Sequence, residues 1–192
     1  MNNKLILDCT EIDCISKLRD VLSIQLLYAL NSNKQIVILC IGTDRSTGDS
    51  LGPLVGEKLK FLVRDNISIY GNLENPIHAK NLCDTLKDIN NKYDYPFIIA
   101  IDASLGNIQN VGKIVIEKGP LYPGAAMNKD LPPVGHISVK GIVNISGALE
   151  FLVLQNTRLY TVMHLADVIS KGIYHSIIKT IGGKKLHKSS SN

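Results

Sequence analysis

The chain has no tryptophan, three phenylalanines and an aromatic content of 5% over 192 residues. Single-stranded nucleic-acid surfaces combine a basic face with stacking aromatics, and that combination is missing. Basic excess is also thin. The net charge is +4, and much of it sits in the terminal run Lys184-Lys185-Leu186-His187-Lys188 ahead of Ser189-Ser190-Ser191. Without that stretch the body is nearly neutral, so no nucleic-acid partner is expected and residues 184–192 read as a basic, serine-rich flexible tail. No apolar run approaches the roughly 20 residues of a bilayer span, and no membrane partner is expected. The opening Met1-Asn2-Asn3-Lys4-Leu5-Ile6-Leu7-Asp8 is too short in its apolar part for a signal peptide. A cytoplasmic location is the expectation.

Cysteine is scarce and unpaired. Cys9, Cys14, Cys40 and Cys83 form no CxxC motif, so neither a disulfide framework nor a cysteine-rich zinc site is expected. Packing as small hydrophobes is the simpler role for these thiols. Several catalytic signatures are absent too. Gly48-Asp49-Ser50 stands where a Walker loop needs Gly-Lys-Ser/Thr, the glycines do not fit GxGxxG, and neither a GxSxG elbow nor HExxH occurs.

What the chain does have is a regular alternation of apolar runs. With 45% hydrophobic and 20% charged residues, it is expected to form one globular domain over residues 1–183. Helical spacing predicts helices over 11–30, 51–63, 139–155 and 165–180, with another opening at Pro76. Strands are predicted at 35–41, 67–70, 97–101, 113–117 and 158–162, the one at 113–117 as a sheet edge because its charges alternate with Ile114 and Ile116. Strands alternating with helices imply an α/β fold, a three-layer α/β/α sandwich around a mostly parallel sheet. Residues 119–135 hold four of the seven prolines and show no period. A loop of this kind is expected to border a functional cleft.

The chemistry concentrates in two places. Cys40-Ile41-Gly42-Thr43-Asp44-Arg45-Ser46-Thr47-Gly48-Asp49-Ser50-Leu51-Gly52-Pro53 joins a core strand to a helix, and Ile98-Ile99-Ala100-Ile101-Asp102 ends a second core strand. Open α/β sheets form their crevice at the carboxyl ends of such strands. Asp49 reads either as a helix N-cap or as an active-site carboxylate. Asp102, at the edge of a core, either bonds a neighbouring loop or serves chemistry. His136 enters from the far end of the proline-rich loop as a candidate third member. Two carboxylates and an imidazole suit zinc, nickel or manganese with a position left open for water; without metal, Asp49 and Asp102 can share a proton, one as base and one as acid. Ser46 and Ser104 are candidate substrate-contacting hydroxyls, and Asp44 and Arg45 a pair across the loop. His78, His164, His175 and His187 have no companions in sequence and read as surface or packing residues.

Ile41-Gly42-Thr43-Asp44-Arg45-Ser46-Thr47-Gly48-Asp49-Ser50-Leu51-Gly52-Pro53 followed by Ile101-Asp102-Ala103 resembles the spore germination protease superfamily, and more closely the shorter sporulation proteins related to that protease. Hydrogenase maturation proteases share a similar plan. The resemblance spans roughly residues 35–180. It implies a peptidase acting on a specific protein or peptide substrate. Its germination-protease side implies catalytic aspartates at Asp49 and Asp102. Its maturation-protease side implies a divalent metal, zinc or nickel, held by Asp49, Asp102 and His136. A sporulation-associated role in the forespore or mother cell follows from the same resemblance. Two other readings stay open: a non-catalytic sporulation protein that keeps the fold and binds a partner, and a small-molecule hydrolase.

Overall fold

Every residue of β2 (Ile36–Cys40) is buried, which only a strand covered on both faces allows. The computed structural model describes residues 4–62, 64–123 and 131–182. In it β2 lies within a sheet that also contains β1 (Lys4–Asp8), β3 (Ile67–Tyr70), β4 (Phe97–Gly106), β5 (Lys113–Lys118) and β6 (Ile137–Ile145). The strand order is β1-β5-β6-β4-β2-β3. The β3-β2-β4-β6 portion is parallel, while β5 runs antiparallel to both β6 and β1. Helices α1 (Cys14–Asn31), α2 (Leu51–Leu59) and α5 (Leu159–Ile181) cover one face, with α5 packed against both others. Leu18, Leu22, Leu26, Val55, Leu59, Leu165 and Ile169 meet Ile36, Ile38, Ile99 and Ile101 there.

The second face is thinner. It carries α3 (Leu82–Lys92) and a clasp from the β5–β6 connection, in which Leu121 and Val134 pair as a short bridge and join Val37, Leu39, Ile98 and Ala100 in a second core. The architecture is therefore the expected α/β/α sandwich around a mostly parallel sheet, with one outer layer reduced to a helix and a loop. No helix among the described residues is long and apolar enough to cross a membrane.

Several expectations are corrected. Residues 139–155 are not one helix: 137–145 form β6, and only Glu150–Gln155 is helical, as α4. The apolar spacing of Ile142, Ile145, Leu149 and Leu152 mimics a helix, but Ile137, Val139 and Val143 point into the core with the period of two that a strand requires. The strand expected at 158–162 is instead the first turn of α5. β5 is not an edge; it is paired on both sides, by β6 and by β1, and β1 is the edge on that side. The helix expected at Pro76 begins at Leu82. The tail at 184–192 lies outside the described residues.

The join between β2 and α2 depends on close backbone approach. A Cβ on Gly52 would lie 2.0 Å from the Ile41 carbonyl oxygen, so the first turn of α2 rests on the residue that follows the strand. Gly52→Ala is expected to lower the melting temperature by on the order of 5 °C, as forced overpacking at a backbone contact does. Gly147→Ala, where an added Cβ meets nothing within 4 Å, should leave it unchanged. Paired thermal melts check both.

Candidate functional site

β2 leaves the sheet just after Ile41, whose N–H donates to the Ile101 carbonyl at 2.8 Å. β4 runs on to Gly106. Past Ile101, β4 therefore has lost its neighbour on one side, and a cleft opens beside Asp102. On the other side of the departing chain, the Gly42 N–H donates to Ile77 O at 2.7 Å and Ile41 bridges Ile77. That contact brings His78 to the cleft wall. The loop then folds back, with Thr43 N–H donating to Asp49 O at 3.1 Å, and Asp49 sits in the single 3-10 turn Gly48–Ser50 that leads into α2.

The cleft encloses about 380 Å³. Asp49, Asp102, His78, Ser104, Lys140 and Glu150 supply its polar lining, and Leu121, Tyr122, Pro123 and Leu131 of the proline-rich connection form one wall. The expectation that this connection borders the cleft holds for these residues; 124–130 lie outside the described ones.

Asp49 is not a helix cap. The cap position of α2 is Ser50, and no side-chain cap hydrogen bond forms there. Burial pushes the Asp49 carboxyl above the usual range, and the neighbouring Ser46 hydroxyl pulls it partly back. That hydroxyl is buried and falls short of a well-formed hydrogen bond. Asp102 is more strongly perturbed. Burial, offset by the Ala103 N–H at 2.8 Å and reinforced by the charge of Asp49, pushes its carboxyl up to about 8. At neutral pH Asp102 thus holds a proton that Asp49, less strongly shifted, gives up more readily.

His136 does not join them. It precedes β6, and because β6 is parallel to β4 its start lies at the amino edge of the sheet, four residues before Lys140, the register partner of Asp102. At about 3.3 Å per residue that is ~13 Å along the strand. Its Nδ1 accepts from the Ile98 N–H at 3.1 Å, its ring stacks on Phe97 at 4.9 Å, and burial holds its pKa below the usual value. It is a neutral structural histidine lining a different groove with Tyr28. The Asp49/Asp102/His136 metal set is therefore not assembled, and among the described residues no group of three or more His, Cys, Asp or Glu is placed to hold a metal. The error has a physical source: a strand misread as a helix puts its first residue at the wrong end of the sheet.

Three cleft residues escaped the sequence reading. His78 follows one bridging residue, Ile77, too short a strand to show a period. Lys140 belongs to the misassigned β6. Glu150 opens the short α4. Ser104 does line the cleft, with its hydroxyl donating to Leu105 O at 3.1 Å. Asp44 and Arg45 are exposed and form no ion pair among the described residues.

Residues 7–172 match the family model described as "Protein of unknown function (DUF1256)". The chain belongs to the DUF1256 family. Within the range of that match lie β2, β4, β6 and every cleft residue described above. A Bacillus subtilis (strain 168) relative, "Uncharacterized protein YyaC", is 49% identical over 164 residues, covering 85% of this chain and 79% of its own length. Among solved structures, the [NiFe] hydrogenase maturation protease HycI from Thermococcus kodakarensis KOD1 is similar with a TM-score of 0.42 and 17% identity, over 73% of this chain and 93% of its own. That likeness is too low to bear on chemistry.

The raised Asp102 carboxyl has a stability consequence. The folded state holds this proton more tightly than the unfolded chain, so the contribution is fully present below the unfolded value of about 4 and is lost as pH rises through the folded value of about 8. Asp102→Asn, uncharged throughout, is expected to melt above the wild type at pH 8, by on the order of a few kcal/mol, and to match it near pH 4. Thermal melts across that range check the sign; a variant less stable than wild type at pH 8 would contradict it.

Proposed function

We propose that this DUF1256 chain is a peptidase that hydrolyses a peptide bond of a specific protein substrate, with Asp49 as general base and Asp102 as general acid. The observation that carries this reading is the convergence of two half-buried carboxyls in one open cleft, Asp49 spent on no cap and neither on an ion pair among the described residues. Groups whose environments separate their proton affinities are suited to divided acid and base roles. Asp49 takes a proton from water as its oxygen attacks the scissile carbonyl. Asp102 then gives its proton to the amide nitrogen as the C–N bond breaks, leaving an acid and an amine. No step runs through a metal, since the residues present do not form the metal set that the maturation-protease pattern requires.

A protein substrate is favoured by the surroundings of the cleft. Leu149, Phe151, Leu152, Leu159 and Tyr160 are exposed in the same stretch that supplies Glu150 and Leu154 to the cleft wall, and contiguous exposed apolar side chains mark protein-binding surfaces. The same apolar rim favours one second reading, a non-catalytic partner-binding protein using the same crevice. The resemblance of Ile41–Pro53 and Ile101–Ala103 to the spore germination protease superfamily supports placing either role in spore formation, in the cytoplasm of the forespore or mother cell.

The test is a proteome-derived peptide library incubated with purified protein, with new termini read by mass spectrometry. Wild type is expected to cleave at a restricted set of sites. Asp49→Asn and Asp102→Asn should each lose at least 10²-fold in kcat, roughly the contribution of a general acid or base, with the fold retained. The pH-rate profile should be a bell whose alkaline limb falls near 8, where Asp102 loses its proton. Cleavage by both variants at the wild-type rate would remove the pair from catalysis; absence of any wild-type cleavage would favour the partner-binding reading.

A further inference from the structure

On the sheet face that carries Asp102, acidic and basic side chains alternate across four strands. Lys140 of β6 is the register partner of Asp102 on β4. Glu117 of β5 meets Lys140, its Oε2 2.6 Å from Lys140 Nζ. Lys4 of β1, the register partner of Glu117, approaches the other carboxylate oxygen at 3.2 Å. Glu117 is thus held on both oxygens, and these two cations, Lys140 foremost, lower its carboxyl from the ordinary value against its partial burial.

Lys140 is the one lysine or arginine lining the cleft among the described residues. It stands between two carboxyls, Asp102 on one side and Glu117 on the other, and it bonds only Glu117. An ammonium has three N–H donors. Glu117 takes one, and among the described residues the others have no partner. A half-buried cation with open donors beside a protonated acid is the arrangement needed where negative charge develops on a carbonyl oxygen.

We propose that Lys140 is the residue that binds the substrate carbonyl oxygen in the cleft, and that Glu117 is its positioning residue, holding the ammonium toward β5 and off the Asp102 carboxyl. The catalytic half rests on the peptidase reading above. The positioning half does not. Glu117 lies outside the cleft and touches no substrate; it acts through Lys140. Without Glu117, the ammonium is left beside Asp102, its register partner on β4. A direct ion pair there would strip Asp102 of the proton it must deliver and would consume the donors meant for substrate. The other ionisable groups facing Asp102 are Asp49 ahead of α2, His78 between β3 and α3, Tyr122 in the β5–β6 connection and Glu150 of α4. None of these is a lysine or arginine able to replace Lys140.

Carboxyl carbon NMR on the full chain reads the titration of Asp102, assigned by its loss in Asp102→Asn, with no substrate required. Glu117→Gln is expected to lower the Asp102 midpoint by about 1–3 units, as a new adjacent cation does. The double variant Glu117→Gln/Lys140→Met should return it to the wild-type value or above. A midpoint unmoved in Glu117→Gln, or equally lowered in the double variant, overturns the positioning role. On a peptide cleaved by the wild type, Lys140→Met should lose about 10²–10³-fold in kcat with little change in KM, the cost of one oxyanion donor; an unchanged kcat overturns the catalytic role. If Asp49→Asn and Asp102→Asn both cleave at the wild-type rate, the peptidase assignment fails, while the NMR titration still decides whether Glu117 positions Lys140.

Discussion

Everything at this site depends on two adjacent parallel strands having unequal length. β2 turns away after Ile41 while β4 continues through Asp102 to Gly106. A strand that outlasts its neighbour leaves backbone and side chains facing open space, and in a parallel sheet that space lies at the carboxyl end, where loops can fill or frame it. The departure of β2 is enforced by contacts too tight for any side chain. Gly42, at φ 146, has the Asp49 carbonyl oxygen 2.0 Å from where a Cβ would stand, and Gly52 is equally close to Ile41. Backbone against backbone fixes the turn, and the turn delivers Asp49 to the gap that β4 leaves.

The same geometry explains the proton chemistry. Asp102 follows five fully or nearly buried residues of β4, so its carboxyl starts life at the end of a core and cannot recover full hydration. A carboxylate in such a place needs a cation or several N–H donors to stay charged. It has one N–H, from Ala103, and the nearest ammonium is occupied by Glu117. The protein thus leaves Asp102 protonated near neutrality, at a cost in stability that rises with pH. Asp49 differs because its chain segment sits on the loop side of the gap, with a serine hydroxyl beside it. Two aspartates that look equivalent in sequence are made unequal by their distance from the core.

How much of this could be read from the residues follows from the period of each segment. β2 and the first part of β4 are unbroken apolar runs and were plain, as were α1 and α2, so the two aspartates could be placed at the correct end of the sheet. β6 was not legible as a strand. Ile137, Val139 and Val143 alternate into the core, but Gly141 opens space for Leu51, and Ile142 packs on the opposite face, so the apolar positions Ile137, Val139, Ile142 and Val143 fall at mixed intervals of two, three and one. That single misreading displaces two conclusions together: it sends His136 to the wrong end of the sheet and hides Lys140 inside a supposed helix. His78 was illegible for another reason. Its position rests on one hydrogen bond from Gly42 to Ile77, a tertiary contact that no local pattern records.

The charge ladder from Asp102 to Lys4 shows why that misreading mattered for function. Side chains on one face of a sheet meet their neighbours across strands, not along the chain, so four residues scattered over positions 4, 102, 117 and 140 form one row only once strand order is known. Along the sequence each is an unremarked charge near an apolar run. Across the sheet bases and acids alternate, and the alternation has a direction: it begins at the solvent-exposed edge strand and ends at the cleft. Because the final member is a protonated acid and not a carboxylate, the row keeps a net positive charge, two ammonium groups sharing one carboxylate, and Lys140 brings it to the cleft wall. An antiparallel edge added to a parallel sheet is usually a way to finish the sheet; here β5 and β1 also supply the charges that decide where the Lys140 ammonium can stand.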